Sequence, residues 1–117
     1  LSGLDEKQLA YFSDKLETLR TELSHSLEGL KEMSRPIAPD DAIGRLSRMD
    51  AMQQQKMAQA QRASVEGRLR LIAGALEAIQ RDEYGMCRVC EEFIGLERLE
   101  ARPESMICVL CQASRGG

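Results

Sequence analysis

Four cysteines carry the most specific chemistry in this 117-residue sequence. They stand as Cys87-Arg88-Val89-Cys90 and Cys108-Val109-Leu110-Cys111, with seventeen residues between the pairs. A two-residue gap lets both sulfurs of a pair reach one cation from a tight turn, and two such turns supply the four soft ligands of a tetrahedral site. The spacing predicts one zinc ion, Zn2+, held by Cys87, Cys90, Cys108 and Cys111. Four protein ligands leave no open coordination position, so the ion is expected to be structural and not catalytic. A redox Cys-x-x-Cys would want a single pair opening a helix within a β/α pattern, which is lacking here. An iron site of the rubredoxin type shares the spacing, but nothing else in the chain signals a redox partner. Disulfides are disfavoured in a reducing cytoplasm. Between the pairs, Phe93, Ile94, Leu96, Leu99, Met106 and Ile107 offer a minimal apolar core, and Arg88, Arg98 and Arg102 could offset the negative charge of a zinc–tetrathiolate centre.

Something must position these knuckles, and the preceding sequence is helical in pattern. From about Asp5 to Ser34, Leu9, Phe12, Leu16, Leu19, Leu23, Leu27, Leu30 and Met33 recur at spacings of three and four, which draws one apolar stripe along a helix. Ser2 and Asp5 offer capping-box-like starts. Arg35-Pro36-Ile37-Ala38-Pro39 breaks the pattern, and Asp40 or Asp41 can cap a second helix that runs from about Ala42 to Glu83. The second helix carries two apolar tracks, Leu46, Met49, Gln53, Met57 and Ala60, then Val65, Leu69, Ile72, Leu76 and Ile79. A register shift near 58–64 would reconcile them, with Gly67 and Gly74 among the small residues that permit close helix approach. Gly85 is expected to end the helix.

Composition limits the alternatives. Aromatic residues make up 3% of the chain and Trp is absent, which suits helix packing better than a sheet sandwich. A formal net charge of −3 gives no bulk drive toward nucleic acid, so direct DNA binding is not expected. No run of about 18 apolar residues occurs, so no membrane span is expected and a cytoplasmic location is the default. The single histidine, His25, lies off the apolar stripe, and the carboxylates are spread along helix faces, so no catalytic site and no enzyme activity are expected.

The stretch Tyr84-Gly85-Met86-Cys87-Arg88-Val89-Cys90, the hexamer Arg98-Leu99-Glu100-Ala101-Arg102-Pro103, and Cys108-Val109-Leu110-Cys111-Gln112 resemble the DksA/TraR zinc-finger family. The resemblance is close over residues 82–112. It implies a protein that binds bacterial RNA polymerase, with a helical coiled coil entering the secondary channel and a globular part docking on the rim. It also implies action together with the alarmone ppGpp. The chain departs from the family at three places. The family's tip motif Asp-x-x-Asp-x-Ala would fall on Gly44 to Met49, where neither aspartate is present, so Asp41, Asp50 and Ala51 are the candidate tip residues for polymerase contact. Arg102 matches a basic position that helps to hold ppGpp, but Gln112 stands where a lysine is found. Glu91 replaces the glycine that usually follows the first knuckle.

The fold class expected is therefore mainly α, a long antiparallel helical hairpin (coiled coil) over 1–83 with its tip at about 35–50, joined to a small four-cysteine zinc-finger module over 84–117. The expected function is that of a monomeric transcription regulator that acts on RNA polymerase without binding DNA. A protein-interaction adaptor with no effect on transcription initiation is the alternative.

Overall fold

The structure, a computed structural model, describes residues 4–33 and 45–114. Among these the helices are α1 (Glu6–Met33), α2 (Arg45–Gln80), α3 (Leu96–Ala101) and α4 (Val109–Ser114). The fold is mainly α: α1 and α2 make an antiparallel helical hairpin, and the four-cysteine segment follows it. The two prolines, the Asp40 and Asp41 caps and the tip candidate Asp41 lie outside the described residues.

α1 begins where its sequence says it should. Asp5 Oδ1 accepts the Gln8 backbone N–H at 2.8 Å, and Gln8 Oε1 accepts the Asp5 N–H at 3.0 Å, a reciprocal capping box that satisfies two otherwise open donors. Along the helix the apolar stripe from Leu9 to Leu30 is buried or half-buried, while Met33 is exposed.

α2 corrects the sequence reading. Ala51, Gln55, Ala58, Arg62, Val65, Leu69, Ile72, Leu76 and Ile79, all buried or half-buried, recur at alternating spacings of four and three. That is one unbroken heptad seam, and it needs no register shift. Met49, Gln53, Met57 and Ala60 of the expected first track are exposed instead. The seam was hidden because small and polar residues, Ala51, Gln55, Ala58 and Arg62, occupy its first half, while methionines sit on the outer face. Gly74 likewise does not serve an approach between the long helices: a Cβ there would stand 2.6 Å from Met106 Cε, so this glycine makes room for the segment between the knuckles.

The end of α2 differs too. The helix stops at Gln80, ahead of Glu83. The Glu83 N–H reaches back to the Ala78 carbonyl at 2.8 Å and the Asp82 N–H to Ile79 at 3.2 Å, with Asp82 at φ 61°. This is a Schellman closure in which aspartate, and not Gly85, takes the left-handed position. Gly85 (φ 91°) instead shapes the approach to the first knuckle.

Packing divides the chain into two compact units: residues 1–20 with 68–117, and residues 21–67. The first unit joins the chain-terminal ends of the hairpin to the cysteine segment. Phe12, Leu16, Ile72, Tyr84 and Leu99 are its large apolar side chains with essentially no exposure, and the Phe12 and Tyr84 rings lie 5.8 Å apart. Glu100 of α3 accepts hydrogen bonds from Tyr11 Oη at 2.8 Å and Lys15 Nζ at 2.9 Å, which ties α3 to α1. In the second unit, Ala58 is the only apolar residue among those described that is buried to the same degree.

Candidate metal centre

The first knuckle is built from backbone bonds that oppose residues 85–87 to 92–94. Cys87 N–H donates to Glu92 O at 2.8 Å, Ile94 N–H to Gly85 O at 2.7 Å, and Met86 and Phe93 form an isolated antiparallel bridge. The chain reverses between them through Glu91, whose N–H closes on Cys87 O at 2.9 Å and whose φ is 64°. A non-glycine residue in this region carries steric strain, so the turn that the sequence deprives of glycine is made at a cost. The second knuckle uses a helix instead: Cys108 precedes α4, Cys111 lies one turn on, and the Gln112 N–H donates to Cys108 O at 2.9 Å. The two knuckles are joined through Arg88 N–H to Met106 O at 2.9 Å.

These elements bring all four cysteines together: their sulfurs lie within 4.8 Å of one another. Cys90 Sγ and Cys108 Sγ are 3.7 Å apart. Four sulfurs about 2.3 Å from a zinc-sized ion would be about 3.8 Å apart at the edge of the tetrahedron, so the cluster fits a single tetrahedral cation. Cys87 is buried and Cys90 exposed. Two backbone N–H groups point at the Cys87 sulfur, from Val89 at 3.4 Å and Cys108 at 3.3 Å. Burial opposes the thiolate there, but backbone N–H donors, those of Cys108 and Val89 among them, bring the Cys87 thiol down to about 6. Cys111 is pushed up to about 12, first by the neighbouring Cys108 and then by burial. Thiols this close cannot all ionise alone, and a divalent cation at their centre removes that conflict.

The hexamer Arg98–Pro103 is anchored to the core of the same unit. Gly95 opens α3 at φ 112°, a conformation that favours glycine. Leu99 is fully buried, and the Tyr84 hydroxyl donates to the Pro103 carbonyl at 2.8 Å. Burial pushes the Tyr84 phenol well above its ordinary range, so it stays a donor. Of the arginines offered by the sequence as counter-charges to the metal, Arg102 turns to Glu104 (Nε to Oε2, 3.5 Å). Sequence reasoning missed Glu104. It is 1% exposed and accepts Arg68 Nε at 2.9 Å. Its one signal is an arginine 36 residues earlier, which no local pattern exposes. Arg98, Arg102, Glu104, Ser105 and Gln112 line a cavity of about 460 Å³. The tip candidates lie elsewhere: Asp50 is exposed and Ala51 half-buried on α2, in the second unit.

No family model matches the chain. It is 30% identical over 115 residues to the RNA polymerase-binding transcription factor DksA of Buchnera aphidicola subsp. Schizaphis graminum, covering 93% of this chain and 72% of that one. It is 29% identical over 119 residues to the protein of the same name in Escherichia coli K12, with the same coverage. Among solved structures, that of transcription factor DksA2 from Pseudomonas aeruginosa superposes with a TM-score of 0.77 at 28% identity, covering 98% of this chain and 88% of that one. The RNA polymerase binding protein and transcriptional regulator Dks from Chlamydia trachomatis gives a TM-score of 0.57 at 25% identity, covering 97% and 92%. A helical hairpin continued by clustered cysteines, the knuckle and hexamer motifs, and these relatives agree: the chain belongs to the DksA/TraR family.

Proposed function

We propose that this chain is a transcription regulator that binds RNA polymerase through the secondary channel, does not bind DNA and has no enzymatic activity. The observation that carries the reading is the helical hairpin continued into a four-cysteine cluster, in a chain whose curated relatives are named for binding RNA polymerase. Those names favour this reading over a general adaptor. One zinc ion is bound by Cys87, Cys90, Cys108 and Cys111 and serves structure: it fixes the two knuckles against each other and holds the apolar segment between them. With no open coordination position it contributes no chemistry. The chain acts as a monomer in the cytoplasm. Among the described residues no helix is long and apolar enough to cross a membrane.

The polymerase contact falls to the hairpin end, through Asp41, Asp50 and Ala51, with Asp50 favoured because its exposed carboxylate is free to meet a bound cation or a basic channel surface. Arg102 is the candidate ppGpp contact. Gln112 lines the same cavity without a charge, so dependence on ppGpp is weaker than where a lysine stands. Capture of core RNA polymerase by the tagged chain, with and without a competing secondary-channel factor, tests the reading. Capture that the competitor abolishes supports it, and absence of capture contradicts it. Asp50→Asn is expected to leave capture intact and to reduce the effect on transcription.

A further inference from the structure

Met33, Met49, Met52 and Met57 are exposed on the long helices. Met106 is placed differently. It is half-buried, and its side chain lies on α2 at Gly74, where a Cβ would stand 2.6 Å from Met106 Cε and 3.6 Å from its Sδ. Its backbone carbonyl accepts the Arg88 N–H at 2.9 Å, the bond that joins the two knuckles. Met106 thus ties the segment between the knuckles to the long helix by its side chain and to the first knuckle by its main chain. It also lines an open cavity of about 370 Å³, together with Met86, Arg88 and Ser105. We propose that Met106 is an oxidation site, converted to the sulfoxide by a peroxide that enters this cavity, and that the modification unseats the zinc-binding segment from α2.

The chemistry is a two-electron oxygen transfer. A thioether lone pair attacks one oxygen of the hydroperoxide, and the S–O bond forms as the O–O bond breaks. Sulfur gives up two electrons, and the proton on the transferred oxygen passes to the departing one, which leaves as water or an alcohol. A water molecule takes about 30 Å³ of liquid volume, so a molecule the size of hydrogen peroxide has room in the cavity. The product is polar where the thioether was apolar. At the four exposed methionines the new oxygen is solvated and little packing is lost. At Met106 the methyl group rests on bare helical backbone, whose polar groups are already committed to bonds within α2 and offer none to a sulfoxide. Arg88 Nη2 stands 4.0 Å from the same Cβ point, a donor toward which the oxygen would turn. A side chain drawn off Gly74 pulls on the Met106–Arg88 main-chain bond, and through it on the approach of the knuckles. The inference stands on this packing and does not rest on the polymerase-regulator reading.

The test treats the zinc-loaded full chain with hydrogen peroxide, then with dithiothreitol and fresh zinc, so that reversible cysteine oxidation is undone and the sulfoxides remain. Peptide mass spectrometry reads the sulfoxide at each methionine. Thermal melting and the rate of zinc transfer to a chelator read the consequence. The expected result is sulfoxide at Met106, a melting temperature lower by about 4 °C or more, and faster zinc transfer, all reversed by methionine sulfoxide reductase. M106L conserves volume and removes the sulfur. It should melt close to the unaltered chain and lose nothing on treatment, although Met49, Met52 and Met57 are still oxidised. M106Q places a polar group at the seat and should reproduce the fall without any oxidant. Three results overturn the proposal. The first is an unmodified Met106 in a chain whose exposed methionines are oxidised. The second is an M106L chain that falls as far on treatment as the unaltered one. The third is an untreated M106L that melts as low as M106Q, which would make the shape of the side chain, and not its polarity, the cause.

Discussion

The two compact units share the same pair of helices but are packed on different terms. Residues 1–20 with 68–117 bury Phe12, Leu16, Ile72, Tyr84 and Leu99 and add hydrogen bonds between distant segments, such as Tyr84 to Pro103 and Lys15 to Glu100. Residues 21–67 fill the α2 side of their seam with alanine, glutamine, arginine and a single valine, Val65, and turn Met49, Met52 and Met57 outward, each about half exposed or more. A heptad seam sets where helices meet, but the size of its residues sets how firmly they are held. The first unit is built to hold a fixed arrangement. The second keeps its large flexible side chains at the surface, where methionines adapt to a contacting partner. The candidate tip residues Asp50 and Ala51 belong to the second unit.

The contrast breaks most completely at the metal. Cys87→Ser is expected to reduce bound zinc to well below one per chain and to unfold the segment from Tyr84 onward, because binding of a structural zinc is worth on the order of 10–16 kcal/mol and is coupled to folding. Metal analysis alongside near- and far-ultraviolet circular dichroism checks this, and much of the signal from the long helices should remain. Next in size is a matched pair of truncations. Phe12→Ala should cost about 3–5 kcal/mol in denaturant unfolding, whereas Met57→Ala, on the outer face of the second unit, should fall within about 0.5 kcal/mol of the parent. Equal costs would remove the distinction between the units.

Smaller effects sharpen the picture. Glu91→Gly should raise stability by about 0.5–1 kcal/mol, since it relieves a side chain held at φ 64° and the gain is partly offset by the freer unfolded chain. The smallest effect is electrostatic. The Lys15 ammonium, followed by the Tyr11 hydroxyl, holds the Glu100 carboxyl below its ordinary value of 4.5. A depressed carboxylate contributes its stability above the ordinary value and loses it as pH falls through the lower, folded one. The stabilising contribution should therefore be intact at neutral pH and be lost as pH falls below the ordinary value through the lower, folded one. Glu100→Gln should flatten that part of the stability–pH curve.

Much of the first unit was legible in the sequence. The cysteine spacing and the hexamer Arg98–Pro103 are local signals, and the α1 stripe is made of large apolar residues that announce their own face. The second unit was read less well for a physical reason. Where Gln55 and Arg62 sit in a seam and methionines outside it, hydropathy periodicity points to the wrong face, and only the spacing continued back from Val65 would have corrected it. The end of α2 was misplaced because Asp82 takes a conformation for which Gly85 was the more obvious candidate. Glu104 was invisible because its partner, Arg68, is distant in sequence and its burial depends on how the chain folds around it.

The central claim, that the hairpin end of the second unit meets polymerase while the cysteine-bearing unit supports it, is tested most directly by a photo-crosslinker at Ser47 in the zinc-loaded chain mixed with core RNA polymerase. Crosslinks to a subunit that lines the secondary channel, suppressed by a competing channel factor, are the predicted result. A chain that is captured by polymerase yet crosslinks to no subunit from Ser47 would contradict the claim.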